Sequence, residues 1–94
     1  MTIYAVQYTY DDRSDRRDEL RPEHRAYLGG LVESGSLLSS GPWADGDPGA
    51  LLIVSADSPA DVERLLDADP FARQGLVAAR VIRAWTPVLG AWRA

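Results

Sequence analysis

A chain of 94 residues with a formal net charge of −4, 46% hydrophobic and 26% charged, has the make-up of one modest globular domain, expected to span residues 1–94. No apolar run approaches the ~20 residues of a spanning helix, no signal peptide is legible at Met1-Thr2-Ile3-Tyr4, and with no cysteine disulfides, thiolate metal sites and thiol nucleophiles are excluded. All ten cations are arginines, and their densest group, Arg13 to Arg25, is interleaved with Asp15, Asp18, Glu19 and Glu23, which argues against nucleic acid. The expectation is a cytoplasmic protein without membrane or nucleic-acid partners. Lysine chemistry is removed, while bidentate arginine grips on a carboxylate or phosphate stay open.

Thr2 to Tyr10, β-branched and aromatic, reads as a first strand. One face carries Ile3 and Ala5, and the other Tyr4, Val6, Tyr8 and Tyr10. Asp11 to Glu19 is charged and non-periodic, so it reads as a solvated loop. A helix then opens on Pro22, carries Tyr27, Leu28, Leu31 and Val32 as its apolar stripe, and stops at Gly35. Gly29 and Gly30 inside it cost helix stability, which points to close approach of another backbone. Leu37 to Ser40 is a short strand ending at Gly41-Pro42, and Trp43 to Gly49 is turn chemistry. Ala50 to Ala56 is a continuous apolar strand. Ser58-Pro59, with Asp61 in the capping-box position, opens a second helix with Val62, Leu65 and Leu66 on one stripe. Asp69-Pro70 breaks it, Phe71 to Gly75 make one further turn, Val77 to Trp85 form the last strand, and Thr86 to Ala94 are a tail.

The order β-α-β-β-α-β is the split βαβ, ferredoxin-like α+β arrangement: a four-stranded antiparallel sheet with two helices on one face. Two helices leave the other face bare, although its strands are apolar there too. A face that size exceeds what monomers usually expose, so a homodimer through the sheet face is expected. Unclosed edge strands or a covering C-terminal tail are the alternative.

Two residues carry the candidate chemistry. His24, the only histidine, lies three and four residues before Tyr27 and Leu28, on the buried side of the helix and one turn from its expected start. The helix dipole there favours a neutral imidazole, suited to general acid–base work. The plainer reading is a core-edge histidine bonded to a carbonyl. Asp69 falls seven residues after Val62, where the stripe of the second helix calls for an apolar side chain, so it needs a partner. It is also a natural N-cap before Pro70. With both helices on one sheet face, the topology allows His24 and Asp69 to meet. Ser40, Gly41, Pro42 and Phe71 are candidate substrate-binding walls, with Ser39 and Ser40 equally able simply to end a strand. The tyrosines of the first strand and Trp43, Trp85 and Trp92 read mostly as core or interface, with some able to line a pocket. One histidine and no cysteine leave no conventional metal site, and Asp45-Gly46-Asp47 lacks the glutamate a calcium loop needs at position twelve. No cofactor motif is present.

Several stretches together resemble the YciI-like (YCII-related) proteins over nearly the whole chain. They are Arg21-Pro22-Glu23-His24 with Tyr27-Leu28, Leu37 to Pro42, Gly49 to Val54, Ala68-Asp69-Pro70-Phe71, Gly75-Leu76 and Val81 to Trp85. The resemblance implies a ferredoxin-like subunit of a dimeric α+β barrel, with His24 and Asp69 as an active-site dyad. It also implies small-molecule chemistry: a related branch dehydrochlorinates chlorinated hydroxyquinols, and the wider superfamily includes isomerases and cofactor-free oxygenases. The leading expectation is a cofactor-independent enzyme in which His24 is the acid–base and Asp69 its orienting carboxylate. The competing one is a non-catalytic homodimeric module that binds a small ligand or a partner protein.

Overall fold

The computed structural model describes residues 1–92; the last two residues of the expected tail lie outside it. The chain runs β1 (Thr2–Tyr10), α1 (Ser14–Glu33), β2 (Leu37–Pro42), β3 (Gly49–Ala56), α2 (Pro59–Asp67), α3 (Pro70–Arg73) and β4 (Val77–Trp85). The strands form one antiparallel sheet in the order β2-β3-β1-β4. This is the ferredoxin-like α+β arrangement, with the single turn of α3 added between α2 and β4.

Registry follows from the apolar alternation of β1. Tyr4, Val6 and Tyr8 stand opposite Val54, Leu52 and Ala50 of β3, and directly opposed residues share a face. All six are buried and meet Leu28 and Leu31 of α1 and Val62 and Leu66 of α2 in the main core. A smaller cluster, Leu20, Phe71 and Leu76, joins it through Tyr10 and Val77. The site lies at that junction.

The opposite sheet face is only partly covered. Trp43, Trp85 and Trp92 line a groove of about 370 Å³ there with Leu51 and Ile53. Trp85 and Val81 nonetheless stay 41% and 48% exposed, an apolar surface the described chain does not hide.

Four expectations need correction. The charged stretch expected as a loop is largely the start of α1, which begins at Ser14. Arg17 within it and Leu20 directly after it are buried, the Arg17 guanidinium donating to the Asp11 carbonyl at 2.5 Å and lying 5.0 Å over the Tyr10 ring. Pro22 is therefore inside the helix rather than at its first turn. It is exposed, as is Asp18, so the Asp18 carbonyl that a proline cannot serve lies on the solvent side of the helix. Val32, expected on the buried stripe, is 52% exposed. No backbone approaches Gly29 or Gly30, where a Cβ would meet nothing within 4 Å. The close approach is at Gly49, where a Cβ would collide with the Tyr8 carbonyl oxygen.

Among the described residues, no helix is long and apolar enough to cross a membrane.

Candidate active site

The buried residues of α1 are Arg17, Leu20, His24, Leu28 and Leu31. Their spacing of three or four keeps them on one side of the helix. With ten helical residues before it, His24 is in mid-helix, beyond the first turn where a helix dipole acts. Its local electrostatics come instead from Asp69.

Asp69 has no exposed surface. Its backbone is extended because it caps α3: Oδ1 accepts the Phe71 N–H at 3.0 Å, and Pro70 takes the first helical position. The same oxygen lies 2.7 Å from His24 Nδ1. The cap and the histidine contact thus use one oxygen. Oδ2 accepts the Tyr8 hydroxyl at 3.1 Å. A carboxylate only accepts, so three donors converge on Asp69: a backbone N–H, a phenol and an imidazole N–H.

That convergence fixes the tautomer. With Nδ1 donating to Asp69, the neutral ring carries its lone pair on Nε2. Among the described residues, no buried side-chain nitrogen or oxygen lacks a partner, and Nε2 has none in the chain, so it reaches accessible surface. The ring is held flat against Phe71, with centroids 3.8 Å apart and planes 3° from parallel. Tyr10 meets the same Phe71 edge-on at 5.6 Å.

Tyr8 was not singled out from sequence as a site residue. Burial, then the Asp69 charge, pushes its phenol far above the ordinary tyrosine range, which keeps it a donor. Tyr10 is pushed up to about 12, first by burial and then by Asp69, with Arg17 pulling the other way. No sequence pattern distinguishes Tyr8 from Tyr4, since both face the core; only the tertiary contact of its hydroxyl with Asp69 does.

His24 opens onto a cavity of about 340 Å³ between α1, β2 and α3. Ser40, Gly41, Pro42 and Phe71 all line it, as do Arg21 and Arg25. Asp69 does not; it stands behind the imidazole. A register shift between Leu37 and Ser39 adds one residue to β2. Ser40 and Pro42 then stand opposite Leu52 and Ala50, on the helix-covered face with Leu37. Without the bulge Ser40 would face the other side. Among the described residues there is no group of three or more histidines and carboxylates spaced to hold a metal ion.

A ferredoxin-like α+β subunit with a histidine–carboxylate pair at the edge of a cavity is the class the fold and geometry define. More closely, the chain belongs to the YCII-related domain family, whose model matches residues 1–86. Among solved structures it is similar to 5-chloro-2-hydroxyhydroquinone dehydrochlorinase (TftG) from Burkholderia phenoliruptrix, in complex with 2,5-dihydroxybenzoquinone. The identity is 25% and the TM-score 0.78, over 89% of this chain and 93% of that one. No curated protein matches the sequence.

Proposed function

We propose that the protein is a small-molecule enzyme that needs no metal or organic cofactor, with His24 as general acid–base and Asp69 as its positioning carboxylate. The observation that carries this reading is the 2.7 Å contact from a carboxylate with no exposed surface to Nδ1 of a histidine on a cavity wall. Nε2 takes a proton from the bound molecule, and the imidazolium formed is stabilised by Asp69. The proton is then delivered to a leaving group or to a second position on the substrate. Elimination and isomerisation fit this shuttle directly, and hydrolysis fits it when Nε2 takes its proton from an attacking water and returns it to the leaving group. The similar TftG supports the first of these, since its name describes loss of hydrogen chloride from a chlorinated ring. A small cyclic or aromatic metabolite suits a cavity walled by Phe71, Leu28, Leu37 and Ala50.

The test is turnover of halogenated and hydroxylated ring compounds by wild type and His24→Gln. The expected loss in the variant is about 10²-fold or more. A variant that retains full turnover of a substrate the wild type converts overturns the acid–base role.

The single cytoplasmic domain of residues 1–94 is expected to work as a homodimer through its open sheet face, where Val81 and Trp85 are exposed. Sedimentation should give twice the chain mass of 10.3 kDa, and Val81→Glu should halve it. A wild-type monomer at micromolar concentration rules the dimer out.

A further inference from the structure

The cavity differs in charge from the molecule around it. The protein carries a net charge of −4, yet the cavity lining includes Arg21 and Arg25 and no aspartate or glutamate. Two carboxylates stand just outside the lining: Asp69, behind the imidazole it holds, and Asp18, paired with Arg21. Arg17, Arg21 and Arg25 recur every fourth residue along α1, an arrangement that repels itself and costs a helix stability.

The first two of these arginines have partners. Arg17 lies 3.2 Å from the Asp11 carboxylate, and Arg21 2.5 Å from that of Asp18. Arg25 makes no ion pair among the described residues. One cation is therefore left over at the cavity, immediately next in sequence to the histidine, with a second one turn before it. The opposite wall is apolar apart from Ser40: Leu37 and Ala50 are buried, and Phe71 presents a ring fixed by its stack on His24. Arg25 is exposed to water, so a neutral apolar ligand would gain nothing from its charge, an anion would be attracted and a cation repelled.

We infer that the ligand of this cavity is a small ring bearing one delocalised negative charge, most simply a ring carboxylate. Its anionic end pairs with Arg25, assisted by Arg21, and its ring lies against Phe71. This rests on the cavity being the substrate site proposed above. It adds the division of labour on α1: the arginines orient the anion, and the histidine between them moves the proton.

Benzoate, benzamide and benzamidine have nearly the same shape and carry charges of −1, 0 and +1, so they isolate the charge. Binding is read by NMR from the ring signals of the only histidine, with calorimetry as a second measure. Benzoate should bind roughly tenfold more tightly than benzamide, the difference expected of one charge-assisted contact, and benzamidine should not saturate. Arg25→Gln should weaken benzoate about tenfold and leave benzamide within about twofold, with a smaller effect for Arg21→Gln. Raising salt should weaken benzoate alone. Equal binding of the three probes, failure of benzoate to saturate, or benzoate affinity indifferent to both arginine variants overturns the inference.

His24→Gln separates this result from the acid–base reading. If it abolishes turnover while benzoate affinity ignores the arginines, only the anion site is wrong. If it keeps turnover while the charge series behaves as expected, only the acid–base role is wrong.

Discussion

Replacing Asp69 by asparagine and by alanine should give two different losses. The asparagine side chain keeps the shape and one carbonyl oxygen, so it still caps α3 and still accepts from one neighbour, and the fold should survive. What it removes is the negative charge facing the imidazole, and with it the preference for the proton on Nδ1. An amide turned the other way donates to Nδ1 and selects the opposite tautomer, which puts a hydrogen on Nε2 where the base needs a lone pair. Turnover should fall by about 10²- to 10⁴-fold, the range seen when the orienting carboxylate of a histidine is neutralised. Ring nitrogen shifts of His24 should move from a single tautomer toward a mixture. Alanine instead leaves the Tyr8 hydroxyl, the Phe71 N–H and His24 Nδ1 without their acceptor in a site with no exposed surface. That should cost about 3 kcal/mol or more, a large share of the roughly 5–14 kcal/mol expected for a chain this long. Urea unfolding distinguishes the two. If Asp69→Asn leaves both the tautomer and the turnover of an identified substrate unchanged, the carboxylate is only a helix cap.

The same residue illustrates what a sequence of this kind reveals. Asp69 announced itself because a carboxylate stood where an apolar stripe called for a leucine, and His24 because it shared the spacing of Tyr27 and Leu28. β1, α2 and β4 were legible because alternation, a serine cap and flanking prolines act locally. The first two turns of α1 were not. Their buried members are Arg17 and Leu20, and an arginine covers the core with its methylene stem while its head finds Asp11, which leaves no apolar period to read. The pairs Arg16–Glu19 and Arg21–Asp18, three residues apart, were the available signal for a helix there. Arg21 and Arg25 read only as members of a mixed-charge cluster, because whether they line a cavity depends on β2 across from them. Tyr8 had no local signal at all: its role comes from its register and from a partner 61 residues away.

Glycine gives the clearest contrast between local and tertiary information. Gly30 sits in an exposed helix interior with nothing within 4 Å of a would-be Cβ, so Gly30→Ala should stabilise the fold by up to about 1 kcal/mol. Gly49→Ala should do the reverse. Its methyl would run into the Tyr8 carbonyl oxygen and stand 3.1 Å from Trp43 Cδ1. The tryptophan can give way, since it is 43% exposed. The carbonyl cannot: β1 is hydrogen-bonded to β3 on one side and β4 on the other, so moving Tyr8 strains two ladders. The expected cost is about 3 kcal/mol or more, at the upper end of overpacking. The effect should also reach the site. The Tyr8 hydroxyl is one of the three donors on Asp69, so displacing its backbone loosens the carboxylate that orients His24. Gly49→Ala should therefore broaden or shift the His24 ring signals under conditions where the variant is still folded, while Gly30→Ala leaves them unmoved. A Gly49→Ala protein with wild-type stability and an unchanged histidine spectrum would mean that β3 can slide away from β1 without disturbing the pair, and that Tyr8 does not couple the sheet to the site.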